Sequence, residues 1–307
     1  MIKYKSIARG FCLGLAAGAM LLASPGLAPA LSAAPVAEEP NQAEEAWLWL
    51  SSDDKYSKYV DTSSVSVVRS VNTMNGKVAT CIHAWTKTGY AYGGAKETID
   101  SYEISAVVPD PGKLNCSYAL VEIIPQNRTI QYLKEDFYDS QGKVIYSKTD
   151  GRVKEVNSQE FDEAFYDAIV DQVFRIGETQ RAKAEDRWIM LWENTEGGIT
   201  THVTADTTTM RMKGQNLILW EWQEMKDAAG NVLEIKFMKK AVNLPQGTER
   251  IVRAEYWSGQ TGWQPLEDDY EGAYRMIDPR APEHKGLMRL RAFAKGYSHW
   301  VSRYSLD

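Results

Sequence analysis

The sequence is poor in the residues from which most catalytic and metal centres are built. Three cysteines and four histidines stand among 307 residues. His83, His202, His284 and His299 lie far apart, with neither HExxH nor His-x-His spacing, so no sequence-local zinc helix is available. His83 alternates with Ile82 and Ala84 and reads as a residue on one face of a strand. No Gly-x-Ser-x-Gly elbow and no Walker loop occur. The glycine-rich run Gly89–Gly94 lacks the Lys-Ser/Thr end of a phosphate cradle, and is expected to be a mobile hairpin loop. Glu267–Glu271 lacks the alternating Asp spacing of a calcium loop and reads as a solvated acidic run. Together these absences predict a protein that is not an enzyme, with no catalytic residues, no cofactor and no metal.

An excess of positive charge is also missing. Lys and Arg number 35 against 41 Asp and Glu, a net charge of −6. Nucleic acid is excluded as a partner on this ground, because phosphate binding needs a basic field. After residue 30 no run is long and apolar enough to span a bilayer, which predicts no integral membrane segment in the mature chain.

The first thirty residues carry the pattern of a secretory signal. Lys3, Lys5 and Arg9 precede an apolar core, Phe11–Ala23, and Ala28-Pro29-Ala30 offers a small-x-small cleavage site, with a second candidate near Ser32 or Ala34. Cys12 stands at the start of the apolar run, where a lipoprotein signal would need it at the end, and Arg9 has no paired arginine. The expected address is extracytoplasmic: periplasmic, secreted or on the cell surface. Cleavage would move the net charge to about −9. Residues 31–45, rich in Pro, Ala and Glu, read as a flexible tether. With Cys12 removed, Cys81 and Cys116 remain, to form one disulfide in an oxidising compartment or to stay as two buried thiols. Two cysteines without CxxC spacing do not supply the ligands of a structural metal site.

What the sequence does contain is a repeat. Trp47–Ser51 matches Trp188–Trp192, and Lys58–Val65 matches His202–Met210. Val78–Lys87 corresponds to Leu217–Lys226, and Ile130–Gly142 to Arg250–Gly262, each ending in a glycine turn after aromatics. Val156-Asn157-Ser158 and Ile277-Asp278-Pro279 each introduce a helix with a capping residue. The alternation of Ile218, Trp220 and Trp222 against Leu219, Glu221 and Gln223 predicts amphipathic antiparallel strands. Phe161, Phe165, Ile169, Val173 and Ile176 recur at helical spacing, as do Leu287, Leu290, Ala294 and Tyr297. The expected fold is therefore α+β: two tandem antiparallel β-sheet units, each closed by a C-terminal helix. The first spans 46–177, a linker helix 178–187, and the second 188–307.

Aromatics mark candidate contact sites. Trp257 and Trp263 flank the polar turn Ser258–Gly262, and Tyr90 and Tyr92 lie in the glycine-rich run. Such rings stack on a sugar, anchor in a protein pocket, or pack back on their own sheet.

Residue order also resembles the surface-adhesin E family of bacterial envelope proteins. The Trp-led first strand, Tyr59-Val60-Asp61, Trp85-Thr86-Lys87, Leu114-Asn115-Cys116-Ser117, the Tyr138–Gly142 turn and Val156-Asn157-Ser158 carry the likeness, over about Trp47–Phe174 and more faintly Trp188–Lys295. The resemblance implies a surface or periplasmic binding module, one that attaches to host matrix components; the aromatic tips point to a protein or glycan partner. Where that family ends its helix with a Cys, this chain has Val173-Phe174, which leaves Cys116 to pair with Cys81 or stay free. Two other classes remain open at this stage: a structural or chaperone-like periplasmic protein that pairs through its sheet edges, and an uncharacterised hydrolase with a scattered site.

Overall fold

The computed structural model describes Pro40 and residues 47–149, 151–176, 187–266 and 273–307. The expected signal segment, nearly all of the tether and linker helix, and the acidic run at 267–271 lie outside those residues. The described chain divides into two compact units: the residues up to Ser70 with Ala79–Val173, and Val71–Val78 with Phe174–Asp307. Each is built on an antiparallel sheet, and the architecture is α+β.

In the first half the strands are β1 (Trp47–Ser52), β2 (Tyr56–Asp61), β3 (Ser66–Thr73) and β4 (Gly76–Tyr90). Helix α1 (Tyr92–Ser101) follows, then β5 (Cys116–Ile124), β6 (Thr129–Tyr138), β7 (Val144–Thr149), β8 (Lys154–Glu155) and helix α2 (Glu163–Phe174). The sheet order is β1-β2-β4-β5-β6-β7, with β3 added to β4 and β8 to β6. In the second half come β9 (Trp188–Glu196), β10 (Ile199–Lys213), β11 (Asn216–Lys226), β12 (Val232–Asn243), β13 (Thr248–Ser258), β14 (Gly262–Pro265) and β15 (Arg275–Met276). Helices α3 (Glu283–Gly296) and α4 (Ser298–Val301) end the chain. Its order β9-β10-β11-β12-β13-β14, with β15 on β13, is the same path, once β2 and β3 together are matched to the single long β10.

The match extends to individual hydrogen bonds. Asp61 breaks β2 from β3 by accepting from Ser63 N and Oγ, while Ser64 Oγ bonds the Asp61 carbonyl and receives the Trp85 amide. Asp206 does the same inside β10: it accepts from Thr208 N and Oγ1, and Thr209 Oγ1 bonds its carbonyl and receives the Trp220 amide. Asp and hydroxyl residues favour such local side-chain-to-backbone bonds over ladder pairing. Each motif stands opposite the first tryptophan of its half, Trp47 with Asp61 and Trp188 with Asp206. Trp85 and Trp220, the two residues so anchored, are fully buried.

Helices lie beside each sheet. In α2, Phe165, Tyr166, Ile169 and Val170 are buried, and the Tyr166 hydroxyl donates to the Pro125 carbonyl. Arg128, in the left-handed region at φ 56°, is 1 % exposed and is held by Glu163, Asp167 and the Val156 carbonyl. In the second half α3 packs on β9 so closely that a Cβ at Gly286 would meet Trp192 at 3.0 Å. Among the described residues no helix is long and apolar enough to cross a membrane.

Two expectations need correction. Cys81 and Cys116 are free, separately buried thiols. In the β4–β5 ladder Cys116 stands opposite Gly89, eight residues along β4 from Cys81. At strand rise that is about 26 Å, whereas a disulfide needs Cα atoms within about 7 Å. The run Gly89–Gly94 is also not a hairpin loop. Gly89 and Tyr90 end β4, and Tyr92 opens α1, whose Gly94 fits against the Lys55 carbonyl where a Cβ would come to 2.3 Å. Glycine content suggested a loop, but close helix–strand approach is what those glycines permit.

Candidate functional site

Trp257 and Trp263 are direct cross-strand partners in the β13–β14 hairpin. The turn between them is set by Ser258 Oγ, which meets Thr261 Oγ1 at 2.8 Å and accepts the Thr261 amide, and by Gly262 at φ +67°, where a side chain would be strained. Both indoles are half-buried. Strand parity puts them on one face with Trp222, Phe237 and Trp220.

The rings on that face form a connected file. Trp220 stacks on Phe237 at 4.4 Å, Phe237 meets Trp222 at 5.9 Å, and Trp222 meets Trp263 at 5.8 Å. Strands β11 and β14 are three steps apart, about 14 Å on a flat sheet, so the two indoles converge over β12 and β13. The file runs from the fully buried Trp220 to the half-exposed Trp263. Charges border it: Arg253 lies 5.9 Å from the Trp220 ring and is paired with Glu255 at 2.6 Å.

Tyr90 and Tyr92 do not form a comparable site. The Tyr90 hydroxyl is buried against Ser117 Oγ at 2.8 Å, and burial pushes its pKa well above the ordinary tyrosine value. Tyr92 is exposed on the first turn of α1. Tyr90 instead belongs to a polar network under α1, in which Ser117 and Tyr102 donate to Glu135 at 2.9 and 2.6 Å. Burial raises the Glu135 pKa, and those two hydrogen bonds only partly offset it.

A cluster that sequence reasoning missed sits on the opposite face of the first sheet. His83 stands directly across from Glu122 in the β4–β5 ladder, and Cys81 is two residues away on the same side of β4. Cys81 Sγ donates to Glu122 Oε2 at 3.1 Å, His83 Nε2 meets the same oxygen at 3.1 Å, and Arg69 lies 4.0 Å from it. Burial, reinforced by the Glu122 hydrogen bond, pushes the Cys81 thiol up to about 11. Burial also opposes the Glu122 charge, but the Cys81 and His83 hydrogen bonds outweigh it and hold that carboxyl below its ordinary value. The two strands are joined only by sheet register, so a search by sequence spacing cannot find this trio. The Cys-x-His alternation at 81 and 83 was the one legible sign, since strand periodicity puts both on one face.

Neither cysteine is an activated nucleophile. Burial raises the Cys116 pKa as well, despite nearby Lys87, so both are thiols near neutrality. Cys116, Lys87, Tyr59 and Asp53 border a shallow polar recess of about 310 Å³ at the end of β4. No protein-family model and no curated protein matches this chain.

Proposed function

We propose that this chain is an exported, non-catalytic binding protein of the cell envelope or the surrounding medium, and that its ligand is a carbohydrate held on the aromatic file of β11–β14. The observation that carries this reading is the pair of half-exposed indoles, Trp257 and Trp263, fixed by a short hairpin and continued by Trp222. Rigid indoles present apolar area at little conformational cost, and the C–H faces of a sugar stack on them. Arg253 and Glu255 flank the same face with hydrogen-bonding groups for hydroxyls. The signal-like first thirty residues and the resemblance to the surface-adhesin E family support the address and the class. On the same reading each unit is a sheet closed by its C-terminal helix, and the ligand lies at the half-exposed end of the aromatic file, at Trp257 and Trp263.

The test is a glycan array probed with the full chain, alongside immobilised matrix proteins. Sugar binding that falls at least tenfold in Trp257→Ala and Trp263→Ala, both still folded, supports this proposal. Binding to a matrix protein alone, or glycan binding untouched by either change, overturns the carbohydrate assignment.

A second reading has its own observation. Leu48 and Trp49 on β1, a strand at the end of its sheet path, are 53 % and 58 % exposed. An apolar edge strand is a template for another chain. Co-purification of an envelope protein lost on Trp49→Lys, and indifferent to Trp257→Ala, would favour it.

A further inference from the structure

We propose that Cys81, His83 and Glu122 form a binding site for a single thiolate-tolerant divalent transition ion of the zinc class. One ligand atom from each lies within 4.8 Å of the others, and two donors converge on one carboxylate oxygen, Glu122 Oε2. An ion placed where those two protons now sit keeps both contacts and replaces two hydrogen bonds by coordination. Zinc–ligand distances of about 2.0–2.3 Å in tetrahedral geometry need each of the two pairs with Glu122 Oε2 about 0.2–0.4 Å further apart than the present 3.1 Å, and Cys81 Sγ and His83, now within 4.8 Å, about 3.5 Å apart. That is within the reach of side-chain torsions alone.

The chemistry of the set selects the ion. A thiolate and an imidazole favour zinc and copper over magnesium or calcium, which take oxygen ligands. Three protein ligands leave a fourth position open, and the His83 and Glu122 side chains are 15 % and 24 % exposed, so the site is reachable from solvent. Binding balances simply. Cys81 releases its proton to solvent, His83 moves its proton from Nε2 to Nδ1, and no electron is transferred. The Nδ1 atom is buried and makes no hydrogen bond, so this change of tautomer breaks no other contact but leaves a buried N–H whose cost, about 1–3 kcal/mol, coordination must exceed. Arg69 beside Glu122 and Cys81 offsets the charge of the two anionic ligands.

The duplicated sheet provides an internal control. The shared hydroxyl bonds match Trp85 to Trp220, four residues off the sequence match of Val78–Lys87 to Leu217–Lys226. In that register the place of His83 and Glu122, two residues before the tryptophan, is filled in the second unit by Ile218 opposite Ala241. The same fold is built there without a polar trio. The sheet itself therefore does not require a polar trio at these positions.

The experiment is titration of the reduced full chain with Co(II), followed by competition with Zn(II). One equivalent of Co(II) is expected to produce a thiolate-to-cobalt charge-transfer band that Zn(II) abolishes. Cys81→Ser should remove the band, and Glu122→Gln should weaken Co(II) binding at least about tenfold, while Cys116→Ser leaves both unchanged. Circular dichroism of each variant establishes folding, and the isosteric change at the partly exposed Glu122 keeps the second variant informative if the first does not fold. Absence of the band in the folded wild type, a band that survives Cys81→Ser, or a Co(II) affinity unchanged by Glu122→Gln overturns the assignment. Sugar binding at Trp257 and Trp263 is read separately, so failure of one proposal leaves the other standing.

Discussion

The Trp85 amide donates to Ser64 Oγ at 2.8 Å, across 21 residues of sequence, and this buried bond ties the break between β2 and β3 to the centre of β4. Its counterpart, Trp220 to Thr209 Oγ1, measures 3.0 Å. Removing the hydroxyl deletes a buried hydrogen bond, at a cost of about 0.5–1.5 kcal/mol. Ser64→Ala and Thr209→Val should each lower unfolding stability by that amount in urea titration. Ser64→Thr should be tolerated far better, because the second unit already uses threonine at this place. Equal stability of Ser64→Ala and wild type would mean the bond is dispensable.

The match of Lys58–Val65 to His202–Met210 caught the segments that hold this motif, though not its bonds, while the trio of Cys81, His83 and Glu122 went unseen, and the range of the interactions explains the difference. Asp61-Thr62-Ser63-Ser64 and Asp206-Thr207-Thr208-Thr209 bond mainly within themselves, so their residue types carry the geometry and reveal the repeat. The strand period that put Trp220 and Trp222 on one face needs only neighbours two apart. Pairing of His83 with Glu122 depends on which strands become adjacent and in what register, and 39 residues separate them. Tyr90 failed for a related reason. Glycines beside it speak equally for a flexible turn and for a helix pressed against a strand, and only the packing of Gly94 on Lys55 decides.

The thiols give a direct test of the ladder register. With Cys81 and Cys116 about 26 Å apart along β4, no intramolecular disulfide can form without unfolding the sheet. Mass spectrometry of the non-reduced protein should show Cys81 and Cys116 as thiols, both alkylated in denaturant and both slow to react natively because they are buried. A Cys81–Cys116 linked peptide would require a different β4–β5 pairing from Gly89 opposite Cys116.

Glu135 makes stability depend on pH in a defined direction. Burial raises its folded pKa above the ordinary value of 4.5. Between the two values the folded chain holds a proton that the unfolded chain has released, so stability falls as pH rises through that window. The favourable contribution is complete below pH 4.5 and lost above the folded pKa. Glu135→Gln removes the titration yet keeps an oxygen to accept from Tyr102, which lies at 2.6 Å. Other acids contribute their own slopes, so the informative quantity is the difference between variant and wild-type urea midpoints. That difference should grow in favour of Glu135→Gln from pH 4.5 upward and level off once wild-type Glu135 is ionised. A difference independent of pH would show that Glu135 ionises as readily in the folded chain as in the unfolded one, and that the Tyr102 and Ser117 hydrogen bonds with the Lys154 charge sustain it beneath α1.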